Sequence, residues 1–198
     1  METRLYKSRC VTNTKGGYSL VEVLVAITVL LIALVGPLTI AHTGLKRAYN
    51  SREQTMSVFL AQEGIEALYK LRENNALAAF PDSLSDLNST WGYVSALAGR
   101  CTTASPCGIQ IGDEGMISSD SFYNCTTTNC IMHYTAGTDV PYRQGVTTGT
   151  ETIYERELVI TVDNDKAIIE STVTWGTRPD QQISLETYMY NIYYEPTP

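Results

Sequence analysis

The sequence predicts an α+β protein: a long N-terminal helix, half membrane-spanning and half amphipathic, packed on a C-terminal antiparallel sheet. A disulfide-stapled irregular insert lies between them. Three observations carry this reading. An apolar run with a single carboxylate near its start follows a short basic segment; a helical periodicity continues that run to about residue 75; and three β-branched, aromatic segments close the chain.

The first element is "TKGGYSLVEVLVAITVLLIALVGPL", from residue 14. Glu22 stands five residues after Gly17, and no charged residue follows from Val23 to Ala41. At 1.5 Å per residue those positions give roughly 28 Å of helix, about the hydrocarbon thickness of a bilayer. A charge at one end of such a segment is costly and usually functional. The simpler reading is a carboxylate that snorkels to the interface. Gly36-Pro37 interrupts the run, and proline removes a backbone donor and clashes with the preceding turn, so a kink or local unwinding is expected there. An ordinary secretory signal has a shorter apolar core and a small-x-small cleavage site, and "TIA" at 39–41 is a poor one. Composition alone favours a plain N-terminal anchor.

Beyond Ala41 the chain becomes amphipathic. Leu45, Tyr49, Met56, Leu60, Ala67 and Leu71 fall near one face at 100° per residue, with Val58, Ile65 and Tyr69 as a narrower second patch. Two apolar faces suit a helix that packs on its own sheet and on neighbouring subunits; one core face with scattered surface residues suits the pattern equally. Glu63 projects from the main face. It reads either as a carboxylate paired across an interface or, preferably, as one hydrogen-bonded to backbone of the following insert.

From Phe80-Pro81 to about Gly149 the chain is rich in Ser, Thr, Gly, Asn and Cys. Such a stretch is uncommon in a compact domain unless it is functional or stapled. Cys101, Cys107, Cys125 and Cys130 can staple it. Their spacings are looser than usual zinc-finger spacings, so disulfides are preferred to a metal site. Four cysteines allow three connectivities, of which the short loops Cys101–Cys107 and Cys125–Cys130 are the preferred pair. Short strands are expected near Cys107–Ile111 and Ile131–Tyr134, with Trp91 and Phe122 anchoring the insert to the core.

The closing segments "YERELVITV", "KAIIESTVTW" and "ISLETYMYNIYY" alternate or are β-branched and aromatic, and the spacers "DND" and "GTRPDQQ" are turn-like. They make a three-stranded meander. Leu158, Ile160, Val162, Ile169, Val173, Trp175, Leu185 and Met189 form the face that covers the helix. Asp163 and Asp165 could bind calcium but read better as turn formers.

Charge sets topology. Residues 1–17 hold Arg4, Lys7, Arg9 and Lys15 against Glu2, and the remainder holds ten basic and twenty acidic residues, net −10. A basic flank before an apolar span predicts that the flank stays in the cytoplasm and the acidic body crosses the membrane. Exported cysteines then oxidise. An acidic body argues against direct nucleic-acid binding. The two histidines, His42 and His133, lie near no recognisable nucleophile or metal motif, and there is no phosphate loop or dinucleotide fingerprint. No cofactor, metal site or catalytic residue is expected.

The stretch "KGGYSLVEVLVAI" resembles the class III signal of type IV prepilins and related pseudopilins, with an aromatic residue after the glycine although the family usually has Phe where Tyr18 stands. The resemblance implies cleavage between Gly17 and Tyr18 by a prepilin peptidase, N-methylation of Tyr18, and a role for Glu22 in assembly through the amino terminus of a neighbouring subunit. A glycine fits such a protease, because a site that grips backbone closely has no room for a β-carbon. "LAQEGIEALYKLREN" also resembles helix endings of some minor pilins. The implied organisation is a cytoplasmic leader over 1–17, a transmembrane and filament-core helix over 18–41, an amphipathic helix over 42–79, a cysteine-containing insert over 80–150 and a sheet over 151–198. The implied function is that of a minor pilin, a structural subunit, with other pilin subunits, an assembly platform and its ATPase as partners. It would first be a single-pass cytoplasmic-membrane protein with its leader inside, and then part of an extracellular pilus. A pseudopilin of a type II secretion or DNA-uptake apparatus and a membrane-tethered binding module that never polymerises are the alternatives.

Overall fold

The computed structural model describes residues 16–79, 84–112, 117–127, 129–176 and 181–192. The leader up to Lys15, the Phe80-Pro81 start of the insert and most of the "GTRPDQQ" spacer lie outside them. The chain divides into two units, residues 1–48 and 49–198.

Helix α1 spans Leu20–Ala79. In the second unit it buries Ser57, Leu60, Ala61, Gly64, Ala67, Leu68 and Leu71, the three- and four-residue steps that keep one face of a helix inward. That stripe differs from the sequence-based one. Leu45 and Tyr49 are exposed, Met56 is half-buried, and the small residues Ser57, Ala61 and Gly64 belong to the inner face. Small side chains let the helix approach the sheet closely. A β-carbon at Gly64 would stand 3.0 Å from Ser171 Oγ and 3.2 Å from Arg156 Cδ.

The insert is more regular than expected. Helix α2 runs over Leu84–Arg100 and buries Val94 and Leu97 against the core, with Trp91 half-buried beside them. Ser, Thr, Asn and Gly92 are weak helix formers, so tertiary packing of this one apolar face stabilises α2 rather than propensity. After it come β1 (Cys107–Ile109), a 3₁₀ turn (Ser119–Ser121), β2 (Phe122–Asn124), β3 (Ile131–Tyr134) and β4 (Tyr142–Arg143). Two disulfides, Cys101–Cys107 and Cys125–Cys130, close short loops. The first ties the end of α2 to β1; the second closes the connection from β2 to β3. Phe122 is buried in the core.

The meander forms as β5 (Thr150–Asp163), β6 (Lys166–Trp175) and β7 (Gln182–Tyr190), paired antiparallel in register Ile160↔Ile169 and Ile169↔Thr187. The free edge of β5 is shared: β3, followed by β4, pairs along Thr150–Glu155, and β1, followed by β2, pairs at Leu158. Short strands of the insert therefore widen the three-stranded sheet to seven strands. Period-2 alternation turns Tyr154, Arg156, Leu158 and Ile160 of β5 inward, with Ala167, Ile169, Ser171, Val173 and Trp175 of β6 and Met189 of β7. Val162 and Leu185, also expected on this face, are only half-buried. At the β5–β6 turn Asn164 takes a left-handed φ of 55°, which asparagine tolerates. Asp163 accepts from the Asn164 amide at 3.1 Å and Asp165 O accepts from Asn191 N at 2.7 Å. The two aspartates shape this turn.

Candidate functional site

The described part of the N-terminal motif has no regular structure from Gly16 to Ser19 and enters the helix at Leu20. Gly16 and Gly17 are exposed, and a β-carbon at either would meet nothing within 4 Å. Among the described residues the fold therefore gives no packing reason for two glycines. Tyr18 is 82 % exposed. Ser19 O accepts the first helical bond, from Val23 N at 3.2 Å. Glu22 is the third residue of α1 and is exposed, placed where the helix dipole favours a carboxylate. Tyr18 and Glu22 lie on one face with Val23, Ala26, Ile27 and Leu30. The motif thus sets its aromatic residue and its carboxylate side by side, one helical turn apart, above an apolar strip.

Every residue of α1 from Leu20 to Ala41 is exposed. The helix carries a window of mean hydropathy 2.8, none of it buried within the chain, and is long and apolar enough to cross a membrane. Its few polar groups are internally satisfied: Thr28 Oγ1 donates to Val25 O at 2.8 Å and Thr39 Oγ1 to Val35 O at 2.8 Å. Hydroxyls returned to the backbone cost little in an apolar environment, which leaves Glu22 as the group that requires explanation. The helix continues without a break through Gly36 and Pro37. Pro37 removes one backbone donor, and helical bonds on both sides hold the segment.

A second polar site lies in the sheet and was not anticipated. Arg156 is fully buried, and its Nη1 donates to Glu63 Oε2 at 2.8 Å and to Leu60 O at 3.0 Å. Its Nε donates to Gln144 Oε1 at 3.1 Å. Burial pushes the guanidinium pKa down, and the Glu63 charge opposes that shift. Glu63 therefore pairs with a strand residue of its own chain, rather than with backbone of the insert. The alternation of β5 held the signal, since Arg156 occupies the inward position two before Leu158.

The remaining candidates do not converge. His42 is exposed on α1, and His133 on β3 lies opposite Arg143 and Glu151 in the strand register. Among the described residues no three of His, Cys, Asp and Glu are grouped to hold a metal ion.

Residues 12–36 match the family model described as the prokaryotic N-terminal methylation motif. No curated protein and no solved structure matches the chain. The motif covers Gly17, Tyr18, Glu22 and most of the apolar helix, and it implies processing by a prepilin peptidase and assembly with other pilin subunits. The chain thus carries the type IV prepilin signature on an exposed apolar helix that is followed by a helix-on-sheet domain.

Proposed function

We propose that the protein is a minor pilin: a structural subunit, not an enzyme, cut between Gly17 and Tyr18, N-methylated at Tyr18 and polymerised through residues 18–41. The observation that carries this reading is the coincidence of the methylation motif with a helix whose apolar side chains from Leu20 to Ala41 are all exposed among the described residues. Such a surface is stable in lipid, and equally against other helices of its kind. Removing it from water at about 25 cal/mol per Å² stabilises either state. In this reading the basic leader stays in the cytoplasm, the acidic domain is exported, and an assembly platform driven by an ATPase moves the subunit from the membrane into an extracellular filament. The disulfides agree with an exported domain.

The test is co-purification. Filaments sheared from cells should contain this chain beginning at methylated Tyr18, at lower abundance than a major subunit. Chain found only in membranes, with filaments present, would exclude the pilin reading.

A further inference from the structure

Arg156 connects two parts of the domain that are distant in sequence. Its side chain reaches α1 at Leu60 O and Glu63, while its backbone is fixed by the cysteine loop: Arg156 N donates to Cys130 O at 3.3 Å. Gln144, itself fully buried, completes the link. Its Nε2 donates to both Cys130 O and Arg156 O, and its Oε1 accepts from Arg156 Nε and from Ile109 N. The guanidinium is thus aimed at the helix by groups bonded to Cys130 O, beside the Cys125–Cys130 disulfide. Among the described residues the buried Nη2 has no hydrogen-bond partner, so Nε and Nη1 fix the orientation. Gly64 leaves the space: a β-carbon there would stand 3.2 Å from Arg156 Cδ.

The two disulfides differ in access. Cys101 and Cys107 are both buried, as is Cys130, whereas Cys125 is half-exposed. The second bridge thus has one partly exposed half-cystine where a solvent thiol could attack, and the first has none.

We propose that Cys125–Cys130, acting through Gln144 and Arg156, is a redox-sensitive latch that governs docking of α1 residues 57–71 on the sheet. The closed latch is the disulfide. A dithiol reductant opens it by exchange: two thiols of the reductant lose two electrons and two protons and become a disulfide, and Cys125 and Cys130 take them up as two thiols. Cys130 O then moves with its loop, Gln144 loses an acceptor, and the guanidinium is no longer held against Leu60 and Glu63. The latch does not depend on the assembly role proposed above.

Hydrogen exchange of the full-length chain in detergent micelles, read by mass spectrometry, tests this. In Cys125→Ser/Cys130→Ser, and in the wild type after dithiothreitol, amides of 57–71 should exchange roughly tenfold faster or more, the consequence of weakening one charge-assisted hydrogen bond. Central amides of β5 and β6 should keep their protection. Cys101→Ser/Cys107→Ser should loosen α2 and β1 instead. Unchanged exchange over 57–71 after loss of Cys125–Cys130 would overturn the proposal. So would a uniform rise through β5 and β6, or an equal loosening of 57–71 in the Cys101→Ser/Cys107→Ser variant.

Discussion

Arg156 sits where the alternation of its strand calls for an apolar side chain, and its charge is tolerated because partners surround it. Glu63 supplies the opposite charge, Leu60 O and Gln144 supply acceptors. Removing one member of a buried ion pair typically costs 3–5 kcal/mol. The Glu63 side chain is 34 % exposed, so water offsets part of that. Glu63→Gln should lower unfolding stability by roughly 1–3 kcal/mol, and Glu63→Gln/Arg156→Met should recover most of the loss, because no buried charge remains. Denaturant midpoints of the three proteins decide this; a double variant no more stable than Glu63→Gln would show that the guanidinium acts mainly by packing. The pair was only half legible in the sequence. Glu63 stands out on an apolar helix face, but a strand residue 93 positions later is brought beside it by topology alone. Gly17 is the contrary case, a residue explained by its neighbours in sequence and not by its surroundings in space. Nothing crowds it, so Gly17→Val should leave the fold intact and block cleavage. Full-length precursor in the membrane, seen by mass analysis, is the expected result; a product beginning at Tyr18 would place the glycine requirement elsewhere.

Among the elements, legibility followed the strength of the period. The meander β5–β6–β7 repeats every two residues with β-branched side chains and was readable, whereas α2 was not. In "LSDLNSTWGYVSALAGR" the helical face seen among the described side chains is Trp91, Val94 and Leu97, and the segment is diluted by Ser, Thr, Asn and Gly. Its helix exists because that face finds Ala67, Leu71 and Ile160 in the core cluster. Of the short strands, β1 and β3 lie where the sequence placed them, whereas β2 and β4, three and two residues long, are below the length at which alternation is distinctive. They extend the sheet because the disulfides hold their ends. Cys101–Cys107 fastens α2 to β1, and Cys101 O accepts from Ile160 N at 2.8 Å, which binds the same corner to β5. Cys101→Ser/Cys107→Ser should therefore cost about 2–4 kcal/mol in the full chain, measured as a shift of the denaturant midpoint under non-reducing conditions. An unchanged midpoint would mean that packing of α2 holds this corner without the bridge.

At the scale of the whole molecule, the chain separates two tasks by composition. The second unit holds the buried core and the Arg156–Glu63 pair, while the described part of the first presents an exposed apolar helix with a single carboxylate near its start. Cleavage after Gly17 would place a new amino terminus one turn before Glu22, on the same helical face. Within one subunit that proximity lets the two charges coexist; between subunits it offers each carboxylate a neighbouring amine. Attraction between unit charges at 4 Å is of order 4 kcal/mol at an effective dielectric of 20, before desolvation is subtracted. This is enough to choose an axial register and small beside the burial of a whole helix. Glu22→Ala makes the segment more apolar, so export and membrane insertion should be spared. Incorporation into filaments should fall, and Glu22→Asp should be impaired less if the shorter side chain still reaches an amine. The measurement is the ratio of this subunit in sheared filaments to that in membranes for each variant. Glu22→Ala entering filaments as efficiently as wild type would mean that helix packing alone sets the register, and that the carboxylate serves an earlier step in the membrane.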